Sequence, residues 1–429
     1  MIGTERPWAL SGVFHAERFW REPGLSQLPQ LADKQAERMV AAMDELMFCL
    51  ARPGDYVLTR QPMHAAHLDY LFHIGFDFHN EVCDTEDENG GSGELPLLPA
   101  ACSFRPFAVL PHHKRLSELL GIAYCEPEPS IIQRVNGKCY SAAMRTRLEL
   151  ANPARVAFSA AEVFMLAQAM LEKSPVLLKD DYGVSGKGIL RVNEEAALRR
   201  IVGYLAAQEE QGCHTRLIIE PLLPKTLDFS ALLHLSKDGE LRVESVQQML
   251  NKDFAFRGIM TPNASFVREL EETGYPELME RIGREMHRDG YWGDICVDSM
   301  RLEGNEWTPI VEINARKSMS HMKNGIDAFV AASGMQALFT HYPLAYKSKP
   351  SYEQLLDRLS RKKLLFERMA GKPGILPLSA NTLLAGGGLE AQGRGRLYAA
   401  IVYRTEEQCR ETEKLLEEIF AELELRLLN

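Results

Sequence analysis

From Leu177 to Val192 the chain reads LLKDDYGVSGKGILRV, an apolar run that breaks into a loop with Gly183, Ser185, Gly186, Lys187 and Gly188 and then turns apolar again. No other stretch restricts the fold as much. A P-loop needs GxxxxGK[ST] between a strand and a helix, whereas here Gly188 and a second strand follow Lys187. The dinucleotide fingerprint also opens a helix. What remains is a glycine-rich loop between two antiparallel strands. It is either a plain hairpin turn or a flap whose backbone N–H groups lie over phosphates.

The rest of the pattern is α/β followed by α+β. At 429 residues the chain is too long for one compact core. LADKQAERMVAAMDELMFCL predicts a helix, YVLTR (Tyr56–Arg60) a strand and HAAHLDYLFHIGF a helix. SFRPFAVL and HKRLSELLGI repeat the strand–helix unit, so residues 1–130 read as a small α/β domain. Within it DTEDENGGSGELP, from Asp84 to Pro96, reads as an exposed acidic loop.

Residues 131–325 hold a helix capped near Ser159, the strands around the glycine loop, and the helix EEAALRRIVGYLAAQEE. They continue with a hairpin of FSALLHLS and LRVESVQQML about the turn KDGE, and a helix from about Pro276 to Arg288. The strands GDICVDSMRL and TPIVEINA follow, joined by EGNE. Residues 326–429 read as a helical stretch, the glycine-rich LLAGGGLEAQGRGR, the strand LYAAIVYR and an amphipathic helix, together a small α+β appendage.

Bulk properties exclude several functions. A net charge of -10 argues against nucleic-acid binding, which needs a basic surface. No segment approaches the ~20 apolar residues that span a bilayer, so no membrane partner is expected. The eight cysteines are scattered without a CxxC pair, as expected for reduced thiols of a cytoplasmic protein. MIGTERPWALSGVFHAERFW lacks the basic start and apolar run of a signal peptide.

Asp298 in ICVDSM, and Glu312 and Asn314 in IVEINAR, lie in otherwise apolar strands, and the last two share a face by the period of two. Burying carboxylates is costly unless they are paired or bound to cations. Two carboxylates and an amide oxygen suit magnesium, with manganese as an alternative ion.

In order, VNGK, VLLKDDYGVSGKG, IIEPLL…DFS, CVDSM and VEINAR resemble the motifs of the ATP-grasp superfamily. The likeness spans roughly Ile131 to His321, and the α/β unit before it resembles the pre-ATP-grasp domain of those enzymes. The resemblance implies a fold that holds ATP between two α+β subdomains. It implies Lys138 and Lys179 as nucleotide lysines, Ser185, Gly186, Lys187 and Gly188 as the flap, and Glu220, Pro221, Leu222 and Leu223 as the adenine hinge. Asp228 falls near the ribose contact, and Asp298, Glu312 and Asn314 match the magnesium ligands. Arg316 stands where such ligases carry an arginine near the transferred phosphate. Arg257 in NKDFAFRGI is a candidate for the same pocket or for a substrate carboxylate.

The activity implied is ATP-dependent ligation of a small-molecule carboxylate to an amine through an acyl phosphate, on amino-acid or peptide-like substrates. A small-molecule kinase and a nucleotide-binding regulatory protein are the alternatives. Many enzymes of this superfamily are homodimers. His64 and His67 form an HxxH pair expected on one helical face near the domain junction, and His112 and His113 are adjacent. Ser318, Ser320 and His321 in KSMSHMKNG form either a solvated loop or part of an acceptor pocket beside the magnesium residues.

Overall fold

Parallel strands need crossover connections, and the helices between the first strands supply them. Strands β1 (Trp8–Ser11), β2 (Asp55–Thr59), β3 (Phe78–Val82), β4 (Ser103–Pro106) and β5 (Ala123–Tyr124) form a parallel sheet in the order β3-β2-β1-β4-β5. Ala9, Leu10, Val57 and Leu58 are buried on alternate faces, as expected for a sheet covered on both sides. The computed structural model describes residues 6–183, 188–252, 255–386 and 393–428. The helix expected from Leu31 is in two parts. Asp33 caps an α-helix over Lys34–Ala41 by accepting from the Gln35 and Ala36 amides, and the chain continues as a 3₁₀ helix over Ala42–Leu50.

A second sheet is antiparallel and small. Strands β6 (Arg155–Ala157), β7 (Val176–Asp180), β8 (Ile189–Val192) and β9 (Leu217–Pro221) lie in the order β6-β9-β7-β8. The helices Ala160–Leu171 and Glu195–Glu210 cover it with a core of its own, in which Val163 and Leu198 meet Val176, Leu178 and Leu217. Ser159 caps the first of these helices, accepting from the Glu162 amide at 3.2 Å. This subdomain is tied to the N-terminal region by a strap. Leu25 bridges His214, the Ser26 and His214 amides donate to the His214 and Gly24 carbonyls, and Leu28 enters the subdomain's core.

The third sheet has nine strands. It comprises β10 (Lys225–Leu235), β11 (Leu241–Lys252), β12 (Ala255–Met260), β13 (Gly293–Leu302), β14 (Trp307–Asn314), β15 (Gln336–Tyr346), β16 (Gly374–Pro377), β17 (Gly393–Tyr403) and β18 (Arg426–Leu427). Its order is β14-β13-β10-β11-β12-β15-β17-β16, with β18 on β15. The expected hairpin of β10 and β11 is present, as is that of β13 and β14.

The stretch after Asn324 differs from its helical reading. A helix over Met319–Ala331 ends early, and Gln336–Tyr346 is a strand that pairs with β12 and β17. The alanines and leucines of QALFTHYPLAY mask its aromatic, β-favouring residues. Residues 326–429 thus contribute strands that continue the central sheet. One core runs from Leu10 and Met47 through Phe229, Ile295 and Ile326 to Tyr398. Among the described residues no helix is long and apolar enough to cross a membrane.

Candidate active site

The helix Lys138–Arg147 faces β14, and side chains before and within it fix the spacing. Asn136 donates from Nδ2 to the Ala315 carbonyl and accepts from the Ala315 amide at 2.9 Å. One turn into the helix, the Ser141 hydroxyl accepts from the Ile313 amide at 2.9 Å. Asp181 holds the helix start. Its carbonyl accepts from the Lys138 amide, and its carboxylate accepts from the Cys139 amide at 2.9 Å and from Arg216 at 2.8 Å. Gly137 has no side chain to spare here, because a Cβ would lie 3.0 Å from Asp181 Oδ1.

These contacts place Lys138 Nζ 2.6 Å from Glu312 Oε1 and 3.0 Å from the Gly183 carbonyl, where the glycine-rich loop begins. Glu312 pairs across the ladder with Asp298, and Asn314 pairs with Cys296, so all three expected metal ligands share one face. Asn314 Nδ2 donates to Asp298 Oδ2 at 2.9 Å. Burial, aided by the charge of Glu312, pushes the Asp298 carboxyl up to about 7. Two carboxylates crowded in this way, with an amide oxygen beside them, form a hard oxygen donor set that fits magnesium.

A second charged centre lies at the edge of the small sheet. Glu220 accepts from Arg145 Nη2 at 2.5 Å with one oxygen and from Lys179 Nζ with the other. Burial would raise the Glu220 carboxyl, but Lys179 and Arg145 outweigh it and hold it below its ordinary value. Pro221, Leu222 and Leu223 then carry the chain, half-buried, from β9 to β10. Asp228 lies on β10, on the same face as Ser230, which is paired with Asp298. It accepts from Lys225 Nζ at 2.5 Å and Asn251 Nδ2 at 2.7 Å.

Strands β7 and β8 are antiparallel on either side of the glycine-rich loop, as expected. Ser185, Gly186 and Lys187 lie outside the described residues. Gly188 has φ +75°, and a Cβ there would come within 2.7 Å of Asp180 Oδ2, so glycine is needed to close this turn.

Arg316 is half-buried, pairs with Glu17 of the N-terminal region at 2.7 Å, and lies 5.5 Å from the centre of the Phe107 ring. Arg257 is on β12, three strands from Asp298 in the sheet order. KSMSHMKNG is no solvated loop. Ser318 caps the helix Met319–Ala331, His321 Nδ1 accepts from the Ser318 amide at 3.1 Å, and Ser320 and His321 are buried. The Ser320 and Ser230 hydroxyls are 2.9 Å apart, which sets this helix beside the Asp298 row.

The other histidine pairs serve packing. His112 and His113 both donate to the Thr85 carbonyl, at 3.1 and 3.0 Å, and so tie down the acidic loop. His67 is fully buried against the Tyr352 hydroxyl at 2.7 Å, and His64 lies 3.5 Å from Glu353. Among the described residues no group of three or more His, Cys, Asp or Glu side chains is placed to hold a metal.

No family profile matches the chain. Its fold does match solved structures end to end. N5-carboxyaminoimidazole synthetase from Staphylococcus aureus, complexed with ADP, superposes with a TM-score of 0.54 at 10% identity, covering 96% of this chain and 98% of that one. The corresponding ribonucleotide synthetase from Thermus thermophilus gives 0.53 at 15% identity, covering 89% and 96%. The fold is that of the ATP-grasp enzymes. A curated relative is the butirosin acyl-carrier protein–L-glutamate ligase of Niallia circulans, 24% identical over 293 residues, which are 67% of each chain.

Within this ATP-grasp frame, sequence reasoning missed Arg145 and Glu17. Arg145 had a signal, since Lys138, Ser141 and Arg145 follow the i, i+3, i+7 spacing of one helical face. Glu17 had none, because only the folded chain brings it to Arg316 across 299 positions.

Proposed function

We propose that the protein is an ATP-dependent carboxylate–amine ligase that works through an acyl phosphate. The carrying observation is the placement of Lys138. It stands between the Asp298–Glu312–Asn314 face and the start of the glycine-rich loop, where the metal-bound end of a triphosphate would meet a flap. Asp298, Glu312 and Asn314 would hold magnesium, which supplies charge neutralisation at the phosphates.

Lys138 and Lys179 bind the phosphates as mobile point charges, and the segment Glu220–Leu223 lines the adenine. Arg316 orients the acid beside the γ-phosphate, held in place by Glu17. The substrate carboxylate attacks the γ-phosphorus, ADP leaves, and an amine then displaces phosphate from the acyl carbon with loss of a proton. Protein groups contribute position and charge, with no protein nucleophile. The buried Ser320 and His321 border the acceptor side.

The curated relative's name couples L-glutamate to an acyl-carrier protein. Amino acids with a free carboxylate, glutamate first, are therefore the leading acids, and a carrier-protein acceptor belongs in the test. All eight cysteines are free thiols, which suits a cytoplasmic setting.

The test is ADP and phosphate release from magnesium and ATP against amino acids singly, in pairs, and with carrier protein, with products read by mass spectrometry. Release that needs both acid and acceptor, with a condensed product, is expected. A stable phosphorylated product formed without any acceptor would make the protein a kinase. Nucleotide binding with no release across the panel would leave the regulatory reading.

A further inference from the structure

Several buried and half-buried arginines elsewhere in this protein have carboxylates, while Arg21 has backbone carbonyls and Arg368 lies over the Phe329 ring. Arg145 has Glu220, Arg216 has Asp181 and Arg316 has Glu17. Arg257 and Arg396 are also half-buried, yet among the described residues neither has a carboxylate within ion-pair reach. Arg396 donates from Nη1 to the Tyr398 hydroxyl at 3.0 Å, while its Nε is buried without a partner. His341 Nδ1 is likewise buried and unpartnered.

The sheet brings these three together. His341 on β15 pairs with Tyr398 on β17, and Arg396, two residues away, shares the face of Tyr398. On β12, Phe256 and Gly258 pair with consecutive residues of β11, so Arg257 is the extra residue of a bulge, a device that re-aims a side chain. The Phe256 ring lies 5.5 Å from that of His341. Burial, then the charges of Arg396 and Arg257, push the imidazole down to about 4, so it is neutral near two permanent cations.

This cluster faces the same side of the sheet as the metal row. The ladder runs from Asp298 to Ser230 and on to Gln247, Asn251 follows on that face of β11, and Asn251 pairs with Phe256. Two guanidinium groups without counter-ions are costly to desolvate, and their planar forks match a carboxylate.

We propose that Arg257, Arg396 and His341 form a subsite for a second carboxylate on the acid substrate, one that is held but not activated. The proposal rests on the ligase reading above. Strands β10 and β11 separate the metal row from β12 and β15, so the group bound here is not the carboxyl that meets the γ-phosphate. The substrate class is then an acid with two carboxylates, such as an amino acid activated through its side chain or a dicarboxylic acid.

Calorimetry on the full chain with magnesium and a non-hydrolysable ATP analogue tests this with glutarate, L-glutamate and 4-aminobutyrate, the last lacking the second carboxylate. Glutarate or L-glutamate should bind at least about tenfold more tightly than 4-aminobutyrate, and Arg396→Gln should erase that preference. Arg257→Gln provides the same loss from a different strand, and Arg396→Lys should restore part of it. Thermal melts check that each variant is folded. Equal binding of all three acids by the wild type, or a preference that survives both glutamine variants, would overturn the subsite. ADP release is measured in parallel. Selective binding lost in the variants without ADP release from any acid would keep the subsite and remove the ligase reading. Release with unselective binding would do the reverse.

Discussion

Around Glu220 two cations, Lys179 and Arg145, share one carboxylate, whereas Glu312, paired with Lys138, faces a second carboxyl, Asp298, across the ladder. The first centre has surplus positive charge and the second surplus negative charge. Neither is stable as an isolated ion cluster in a poorly solvated place, because only matched pairs offset their desolvation. Their opposite imbalances teach more together than either does alone. A polyphosphate suits the first, a divalent cation suits the second, and a magnesium–ATP pair provides both.

The strongest way to break this comparison is Glu312→Ala. We expect kcat/KM for ADP release to fall by about 10²–10³-fold, with the midpoint of the magnesium titration moved upward. Wild-type turnover in that variant would remove the metal assignment. Next is Arg145→Met, which leaves Glu220 with Lys179 alone and takes that ammonium from the phosphates. A stability loss of about 2 kcal/mol in urea unfolding is expected from the lost charge-assisted hydrogen bond, together with a weaker affinity for ATP. A variant as stable as the wild type would mean that Glu220 needs only one cation.

The smallest effect sharpens the contrast with a carboxyl that has no cation beside it. Glu45 is fully buried and accepts from the Ala380 and Thr382 amides, at 3.0 and 3.2 Å, with burial pushing it up to about 8. The folded protein keeps this proton over a range where the unfolded chain has lost it. Stability therefore falls as pH rises from about 5 to 8, by up to about 1.4 kcal/mol per pH unit for this one group. Glu45→Gln should remove that part of the slope and leave the share of Asp44, which burial lifts to about 7. Melting temperatures of the two proteins across this range provide the measurement, and parallel curves would refute the assignment.

The shared face of Asp298, Glu312 and Asn314 was legible in the sequence because strand periodicity is local and these are polar positions in apolar runs. Lys138 and Lys179 stood out through their motifs. Arg145 did not: its spacing from Lys138 and Ser141 marks a shared helical face but not the partner on β9, while Arg147 two residues on faces Glu285 and Asp289 at the surface. Strand β15 was hidden for a different reason. Its place is set by pairing with β12 and β17, contacts distant in sequence that no local propensity reports. The arginine–histidine cluster is non-local too, for it needs the bulge on β12 and the register of β15 with β17.

The strap of residues 24–28 ties the small sheet to the N-terminal region, although that sheet has its own core. In mechanical terms it is a leash. The four-stranded sheet can tilt as a block only as far as the chain between Trp20, anchored by its indole N–H to the Val109 carbonyl, and Leu28 allows. Any larger excursion must first pull Leu28 out of its socket and free Asp180 from the Leu28 amide. The seating of Leu28 and the grip on Asp180, the residue against which Gly188 turns, are then one event.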